Sequence, residues 1–447
     1  MGYKKSLSVF ALLALIMISL LLIIHRPPSP PGKRPNILLI TVCSLRQDHL
    51  GLYGYSRPTS PNLNRLASES TVYKNAYTPI PWTKPSIIAL MTGQYPFKNT
   101  TIKNSASLPG DLHALGYRTC AVIGTNVARD FAHADEGFDV FIDNRTLKTN
   151  KDTETSQAST IARQSIPFLA STPAITQPTF LWLFFKDPHW PYLPPPEYRE
   201  TFIDDELYMR TTQSLAINED PNNSIGGIGE ARLKNANNEF ITNKAYYISQ
   251  YDAEIAYLDS QIGLILSYLK QQGTYDDWMI IFSSDHGESL GEDNYFFDHG
   301  YMLNQEVVRI PLIVKAPHQK ACALTTSPVA IFDIYRIIKT LLGQSTTGNL
   351  QGRIGPYIAL ENSAEHEKTG EKRYGGVSEK IKFIYSNTSE KAFFYDISIQ
   401  HGERPMTLSE IKKQNPDRTL NEARRFFRQA PMNVSSQAEL KSLGYLQ

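Results

Sequence analysis

The stretch NILLITVCSLRQDHL, residues 36–50, decides the fold. Its first seven residues, Asn36 to Val42, form a continuous apolar run too short for a helix, which reads as a strand buried on both faces. Working outward, Thr59-Ser60-Pro61 opens a helix that carries Leu63 and Leu66. Pro85 to Met91 reads as a helix stopped at Gly93, and Leu108 to Leu115 as one stopped at Gly116. Tyr117 to Ile123 and Thr179 to Phe185 read as further strands. Ile248, Tyr251, Ile255, Leu258, Ile262, Leu266 and Leu269 recur at intervals of 3 and 4, the stripe of a long amphipathic helix. Trp278 to Phe282 is then the next strand. This order predicts an α/β sandwich with a large, mostly parallel sheet flanked by helices. Past Gly343 the pattern changes. Lys380 to Tyr385 and Lys391 to Tyr395 read as antiparallel strands of a smaller C-terminal subdomain, 344–447, which closes with helices near Leu420 and Ala438. Asn218 to Asn243 has no periodicity and reads as a mobile loop or lid over the main domain, 36–343.

A chain of 447 residues is long enough for one large α/β domain or two smaller ones. With 45 basic and 44 acidic side chains it has no bulk field to gather nucleic acid, so no nucleic-acid partner is expected. The three cysteines, Cys43, Cys120 and Cys322, cannot build a dense disulfide framework. One local feature points to a membrane. Lys4 and Lys5 precede an apolar run of 18 residues, Leu7 to Ile24, at the lower edge of what a spanning helix needs. A cleaved signal would be shorter and end in small residues. An uncleaved single-pass anchor over residues 1–25, with the body on the extracytoplasmic side, is therefore expected; a buried core helix is the alternative. The segment 26–35, rich in proline, reads as a stiff spacer.

Ligands of such sheets collect at the carboxyl ends of the strands. After the first strand come Cys43, Ser44, Arg46, Asp48 and His49; after TFLWLFF come Lys186, Asp187 and His189; after WMIIF come Ser283, Ser284, Asp285, His286 and Glu288. An Asp285-His286 pair leaving a buried strand offers one hard oxygen and one borderline nitrogen to a divalent cation, though it is also compatible with a capped turn. Thr83 stands at a helix N-terminus, where backbone N–H groups and the dipole favour an anion such as phosphate or sulfate; a structural cap is the plainer reading.

The order of these segments carries more than any one of them. NILLITVCSLRQDHLGLYGY, RPTSPNLNRLASES, PWTKPSIIALMTGQYP, LGYRTCAVIGTN with EGFDVF, KDPHWPY, YDAEIAYLDSQIG, SSDHGESLGE, RIPLIVKAP and LKSLGYL resemble successive signatures of the sulfatase family in the alkaline phosphatase superfamily. The resemblance runs from about Arg34 to the C-terminus. It implies the fold already read, with hydrolysis or transfer of sulfate or phosphate esters at a single divalent metal ion: calcium, magnesium, manganese or zinc. Asp285 and His286 match the family's metal ligands, and His189 and His299 match residues that contact the ester group or the leaving oxygen. Arg46 keeps the place of a basic residue in L-R-x-D-H and is expected as a catalytic group.

Two positions depart from the family pattern. Thr83 stands where sulfatases carry the Cys or Ser oxidised to formylglycine, and Ile87 replaces the motif's arginine, so no formylglycine is expected. Thr nucleophiles occur in similar lipoteichoic acid synthases and phosphoethanolamine transferases, which implies a metal-activated Thr83 with phosphate esters preferred. Cys43 replaces a metal-ligating aspartate. As a thiolate it can ligate zinc together with Thr83, Asp285 and His286; as a thiol it is a small buried hydrophobe. In the second case the chain is a non-catalytic relative with a degenerate metal site.

Overall fold

The structure, a computed structural model, describes residues 34–96, 107–147, 158–171, 177–344, 353–354, 357–362, 371–386, 391–398 and 403–407. The described residues from Asn36 onward belong to one compact unit. Among the described residues no helix is long and apolar enough to cross a membrane. The apolar run Leu7–Ile24, nearly all of the spacer, the helices expected near Leu420 and Ala438 and the LKSLGYL segment lie outside the described residues.

The large sheet is built from β1 (Asn36–Val42), β2 (Thr71–Tyr77), β3 (Arg118–Ile123), β4 (Val140–Ile142), β5 (Thr179–Phe185) and β6 (Trp278–Ser284). The short pair β7 (Ser289–Leu290) and β8 (Phe296–Asp298) follows, and then β9 (Arg309–Lys315), β10 (Ala323–Thr325) and β11 (Val329–Ala330) complete the large sheet. Its order is β10-β2-β9-β6-β1-β5-β3-β4, with β11 also on β2. Strand β1 lies at the centre, parallel to β5 on one side and β6 on the other. Only β9 breaks the parallel run, pairing antiparallel to β6 and β2. The five apolar residues Ile37–Ile40 and Val42 are fully buried, as an internal strand covered on both faces requires. Successive residues of β1 point to opposite faces, so Ile37 and Leu39 join one apolar cluster while Leu38, Ile40 and Val42 join the other.

The long helix runs Lys244–Gln271 and covers the second cluster with Tyr251, Ile255, Leu258, Ile262, Leu266 and Leu269. Its polar residues are not all in water. Asp259 accepts from the backbone N–H groups of Asn62 and Leu63, both at 2.8 Å, and so caps the helix Pro61–Ala67, whose own Ser60 makes no side-chain cap. On the opposite face the helix Thr83–Thr92 packs with Ile87, Ile88, Leu90 and Met91 in the first cluster. It ends at Gly93, whose φ of 65° is the left-handed turn that favours glycine. The C-terminal sheet is antiparallel, from Arg353–Ile354 through Tyr357–Glu361, Arg373–Val377, Ile381–Ser386 and Lys391–Asp396 to Arg404–Pro405. The fold is thus the mixed α/β sandwich expected, with a large mostly parallel sheet and a smaller antiparallel one.

The segment 218–243 is irregular, as its lack of periodicity implies, and it is tied down. Ile228, Ala231 and Leu233 are buried, Ile225 bridges Tyr295, Gly226 N–H donates to the Asn294 carbonyl at 2.7 Å, and Leu233 N–H donates to the Tyr247 hydroxyl at 2.9 Å.

Candidate functional site

Register brings three strand ends to one level. Val42 pairs with Phe185 on one side and Ser284 on the other. The Cys43 N–H donates to the Phe185 carbonyl at 2.9 Å and the Asp285 N–H to the Val42 carbonyl at 3.0 Å. Residues that follow β1, β5 and β6 therefore meet at the carboxyl edge. The chain turns there at Ser44, whose φ of 57° is left-handed for a residue with a side chain. That turn aims the Ser44 N–H at Asp285 Oδ1, 3.1 Å away. Tyr251 of the long helix holds the same corner, donating to the Ser44 carbonyl at 2.7 Å and accepting from Arg46 N–H at 2.9 Å.

At this edge Cys43, Thr83, Asp285 and His286 converge, all buried. Thr83 Oγ1 lies 3.4 Å from Cys43 Sγ and 3.2 Å from His286 Nε2. His286 Nδ1 faces the Gly287 carbonyl at 2.8 Å. A carbonyl only accepts, so Nδ1 carries a hydrogen, and Nε2 is the ring atom turned toward Thr83. Asp285 Oδ1 accepts from the N–H groups of Ser44 and His286, while Oδ2 is buried with no hydrogen-bond partner and lies 3.5 Å from His286 Nε2. The ligand atoms of Cys43, Asp285 and His286 lie within 4.8 Å of one another. Burial, and then the Asp285 carboxylate, push the Cys43 thiol well above its ordinary range, so on its own it stays protonated.

Two further histidines complete the cluster. The His299 ring lies 4.1 Å from that of His286 and 5.3 Å from that of His189, centroid to centroid. Burial, with the Lys186 ammonium behind it, pushes His189 down to about 3. Its Nδ1–H donates to the Trp190 carbonyl at 2.7 Å. His299 Nδ1 instead meets Glu288 Oε1 at 2.8 Å. Glu288 is wholly buried, and burial and then Asp298 push it well above the usual carboxylate range. The sequence leaves Glu288 to a capping or covering role. Its spacing from His286, two residues on, is the signal that was available.

Arg46 is the remaining expected site residue. Expected as a catalytic group, it has its buried guanidinium engaged by carboxylates: Asp48 through two hydrogen bonds of 3.0 and 2.8 Å, Glu292 at 2.8 Å, and the Glu288 carbonyl at 3.3 Å. Burial opposes ionisation of Asp48 and Glu292, yet Arg46 outweighs it and holds both below their ordinary values. Its place is to brace the loop after β6, since one of its bonds is to the Glu288 backbone. A cavity of about 680 Å³ opens beside this network, lined by Asp48, Lys74, Glu306 and Arg309 among others, and includes no residue of the histidine and thiol cluster. The chemistry-bearing groups lie elsewhere.

Two residues before His189, Asp187 forms with Glu254 a second feature that the sequence did not suggest. Asp187 Oδ2 and Glu254 Oε2 are both buried without a hydrogen-bond partner. Burial pushes Asp187 up to about 6, and burial followed by the Asp187 charge pushes Glu254 well above its ordinary value. For acids raised in this way, the stabilising contribution is full below the unfolded value of about 4 and is lost as the pH rises through about 6. Glu254→Gln keeps the acceptor that Leu193 N–H uses at 2.8 Å and removes one of the two charges. Thermal denaturation from pH 5 to pH 8 is expected to show a smaller loss of stability in this variant than in the wild type, by on the order of 1–3 kcal/mol. Parallel curves would contradict the pairing.

The comparisons agree with the fold. The sequence profile of the Sulfatase family matches residues 35–344. An uncharacterised sulfatase, YidJ, of Escherichia coli K12 is 25% identical over 340 residues, 68% of this chain and 66% of that protein. An arylsulfatase of Clostridium perfringens is 25% identical over 324 residues, 59% of this chain and 65% of that protein, so the chain aligns with about two thirds of the length of these two relatives. Among solved structures, a phosphonate monoester hydrolase of Agrobacterium radiobacter superposes with a TM-score of 0.61 at 18% identity, covering 92% of this chain and 95% of that one. With the fold, the converged strand ends and a profile match across most of its length, the chain belongs to the Sulfatase family.

Proposed function

We propose that this chain is a metal-assisted hydrolase or transferase of phosphorus esters, with Thr83 as the nucleophile. The observation that carries the reading is the Thr83 hydroxyl at a helix N-terminus, 3.4 Å from Cys43 Sγ and 3.2 Å from His286 Nε2. The residues present fit a divalent cation: Asp285 Oδ2 is a buried oxygen without a partner, and the Nε2 lone pair of His286 faces the same point. A cation held by Asp285, His286 and Cys43 would lower the pKa of a nearby hydroxyl and neutralise charge on the ester oxygens.

The chain's own groups divide the remaining work. As the Thr83 Oγ1–P bond forms, the bond from phosphorus to the leaving oxygen breaks. The hydroxyl proton passes to the imidazole that it faces, or to water when that lone pair is engaged. The leaving oxygen takes a proton from His299. Burial favours the protonated Glu288 carboxyl, and a carboxyl that donates to His299 Nδ1 across the 2.8 Å contact leaves the ring to present Nε2–H for donation. His189, held neutral with its Nδ1–H given to Trp190, serves instead as an acceptor for the incoming group. Water or an acceptor hydroxyl then attacks phosphorus as the Thr83 Oγ1–P bond breaks; Thr83 Oγ1 takes back the proton it gave up in the first step, and the attacking group's proton returns to the Glu288–His299 pair.

Two considerations support phosphorus over sulfur. Threonine cannot form the aldehyde hydrate whose second hydroxyl helps to expel sulfate. The phosphonate monoester hydrolase among the structural neighbours acts on a related ester on the same fold. The test is turnover by the purified full chain, supplied with zinc, manganese, magnesium or calcium, on an aryl phosphodiester, a phosphonate monoester and an aryl sulfate. Turnover of the phosphorus esters is expected, and cleavage of the aryl sulfate alone sinks this reading. The neutral Cys43 thiol favours one other reading, a non-catalytic member of the family, and inactivity on all three esters would select it. The reading also puts the body on the extracytoplasmic side of a membrane through Leu7–Ile24, where protease added to intact cells should reach it.

A further inference from the structure

We infer that the Cys43, Asp285 and His286 cluster is a zinc-selective centre with the Thr83 hydroxyl at its fourth corner. The inference rests on reading this cluster as a metal centre, as above, and is independent of which ester is cleaved.

Donor chemistry is the first ground. One thiol, one imidazole and one carboxylate form a set that suits zinc, whereas calcium takes six to eight oxygens and magnesium an octahedron of them. Asp285 supplies the only carboxylate of the cluster, too few hard oxygens for either of those ions.

Spacing is the second. Zinc bonds of about 2.0–2.3 Å in a tetrahedron separate neighbouring donors by roughly 3.3–3.7 Å. Of the six donor pairs, Thr83 Oγ1 lies 3.4 Å from Cys43 Sγ and 3.2 Å from His286 Nε2, Asp285 Oδ2 lies 3.5 Å from the same nitrogen, and the ligand atoms of Cys43, Asp285 and His286 all fall within 4.8 Å of one another.

Orientation is the third. Two of the three ligands are fixed from behind: His286 Nδ1 by the Gly287 carbonyl, and Asp285 Oδ1 by the N–H groups of Ser44 and His286. Nε2 and the unpartnered Oδ2 are thereby left for the ion. On binding, the Cys43 S–H bond gives its proton to water and the thiolate and carboxylate together balance the dication.

The full chain, stripped with a chelator and reloaded with zinc, cobalt(II), manganese or calcium, provides the test. The wild type is expected to retain one zinc per chain in competition with manganese and calcium. Its cobalt form should absorb in the near ultraviolet through thiolate-to-cobalt charge transfer. Cys43→Ser should lose that band and weaken zinc binding by roughly 100-fold or more; Cys43→Asp should lose it and shift preference toward manganese or calcium. Cys120→Ser, a buried control away from the cluster, should keep the band. A wild-type cobalt form without the band overturns the inference whether or not the variants fold, as does zinc affinity unchanged in Cys43→Ser. Zinc binding with the band but no ester turnover would leave this centre standing and remove the proposed reaction. Turnover with calcium and no band would do the reverse.

Discussion

Thr83→Ala is expected to lower kcat/KM for an aryl phosphodiester by roughly 10³-fold or more, while Thr83→Ser keeps activity within about tenfold of the wild type. The hydroxyl is the group being removed. It sits at the first residue of the helix Thr83–Thr92, whose dipole end attracts the ester anion, and it touches Cys43 and His286 at once. The side-chain hydroxyl bonds Cys43 and His286, not its own helix backbone, so truncation costs little stability and the melting temperature should move by only a few degrees. Steady-state kinetics on the two variants, with melting curves as control, check this. An alanine variant within tenfold of the wild type would remove Thr83 from the reaction.

The largest stability effect is expected at Asp252. This carboxylate, fully buried on the long helix, accepts from His49 Nδ1 at 2.6 Å, the Tyr55 hydroxyl at 2.6 Å and the Arg57 guanidinium at 2.8 Å. It ties the loop that follows β1 to the helix that covers the sheet. Asp252→Ala leaves the Arg57 guanidinium buried, with only the partly exposed Asp205 to share its charge. The cost of such an uncompensated charge is about 3–5 kcal/mol, read as a shift of the urea midpoint at neutral pH. A loss under about 1 kcal/mol would mean that Asp205 alone satisfies Arg57.

These residues also mark where the sequence was legible and where it was not. Apolar runs and the 3.6-residue stripe gave β1, β5, β6 and the long helix nearly to their ends, because burial of a face leaves a period in the chain. Strand β2 was missed: its pairing with β9 is broken by a register shift between Tyr73 and Ala76, and the irregularity erases a two-residue period. The helix at Thr83 starts two residues before the expected Pro85, since proline in a first turn lacks only an N–H that needs no partner there. Periodicity marks which face of a helix is apolar but not which polar residues turn inward. Asp252, Glu254 and Asp259 of the long helix are all buried, and none was foreseen. The cluster itself was legible at Cys43, Thr83, His189, Asp285, His286 and His299 because strand ends are ordered along the chain. The ion pairs of Arg46 with Asp48 and Glu292 were not legible, because Glu292 reaches it only when the loop after β6 folds back over it. Glu288 was passed over for a similar reason, since its pairing with His299 depends on the β7–β8 hairpin.

The most direct test of the account is a search for the covalent intermediate. The wild-type chain, mixed with a phosphonate monoester or phosphodiester and quenched in acid during turnover, should yield a peptide containing Thr83 that is heavier by the transferred phosphoryl group. Thr83→Ala should yield none. Sustained turnover with no modified Thr83 peptide at any quench time, or the added mass on another residue, would contradict it.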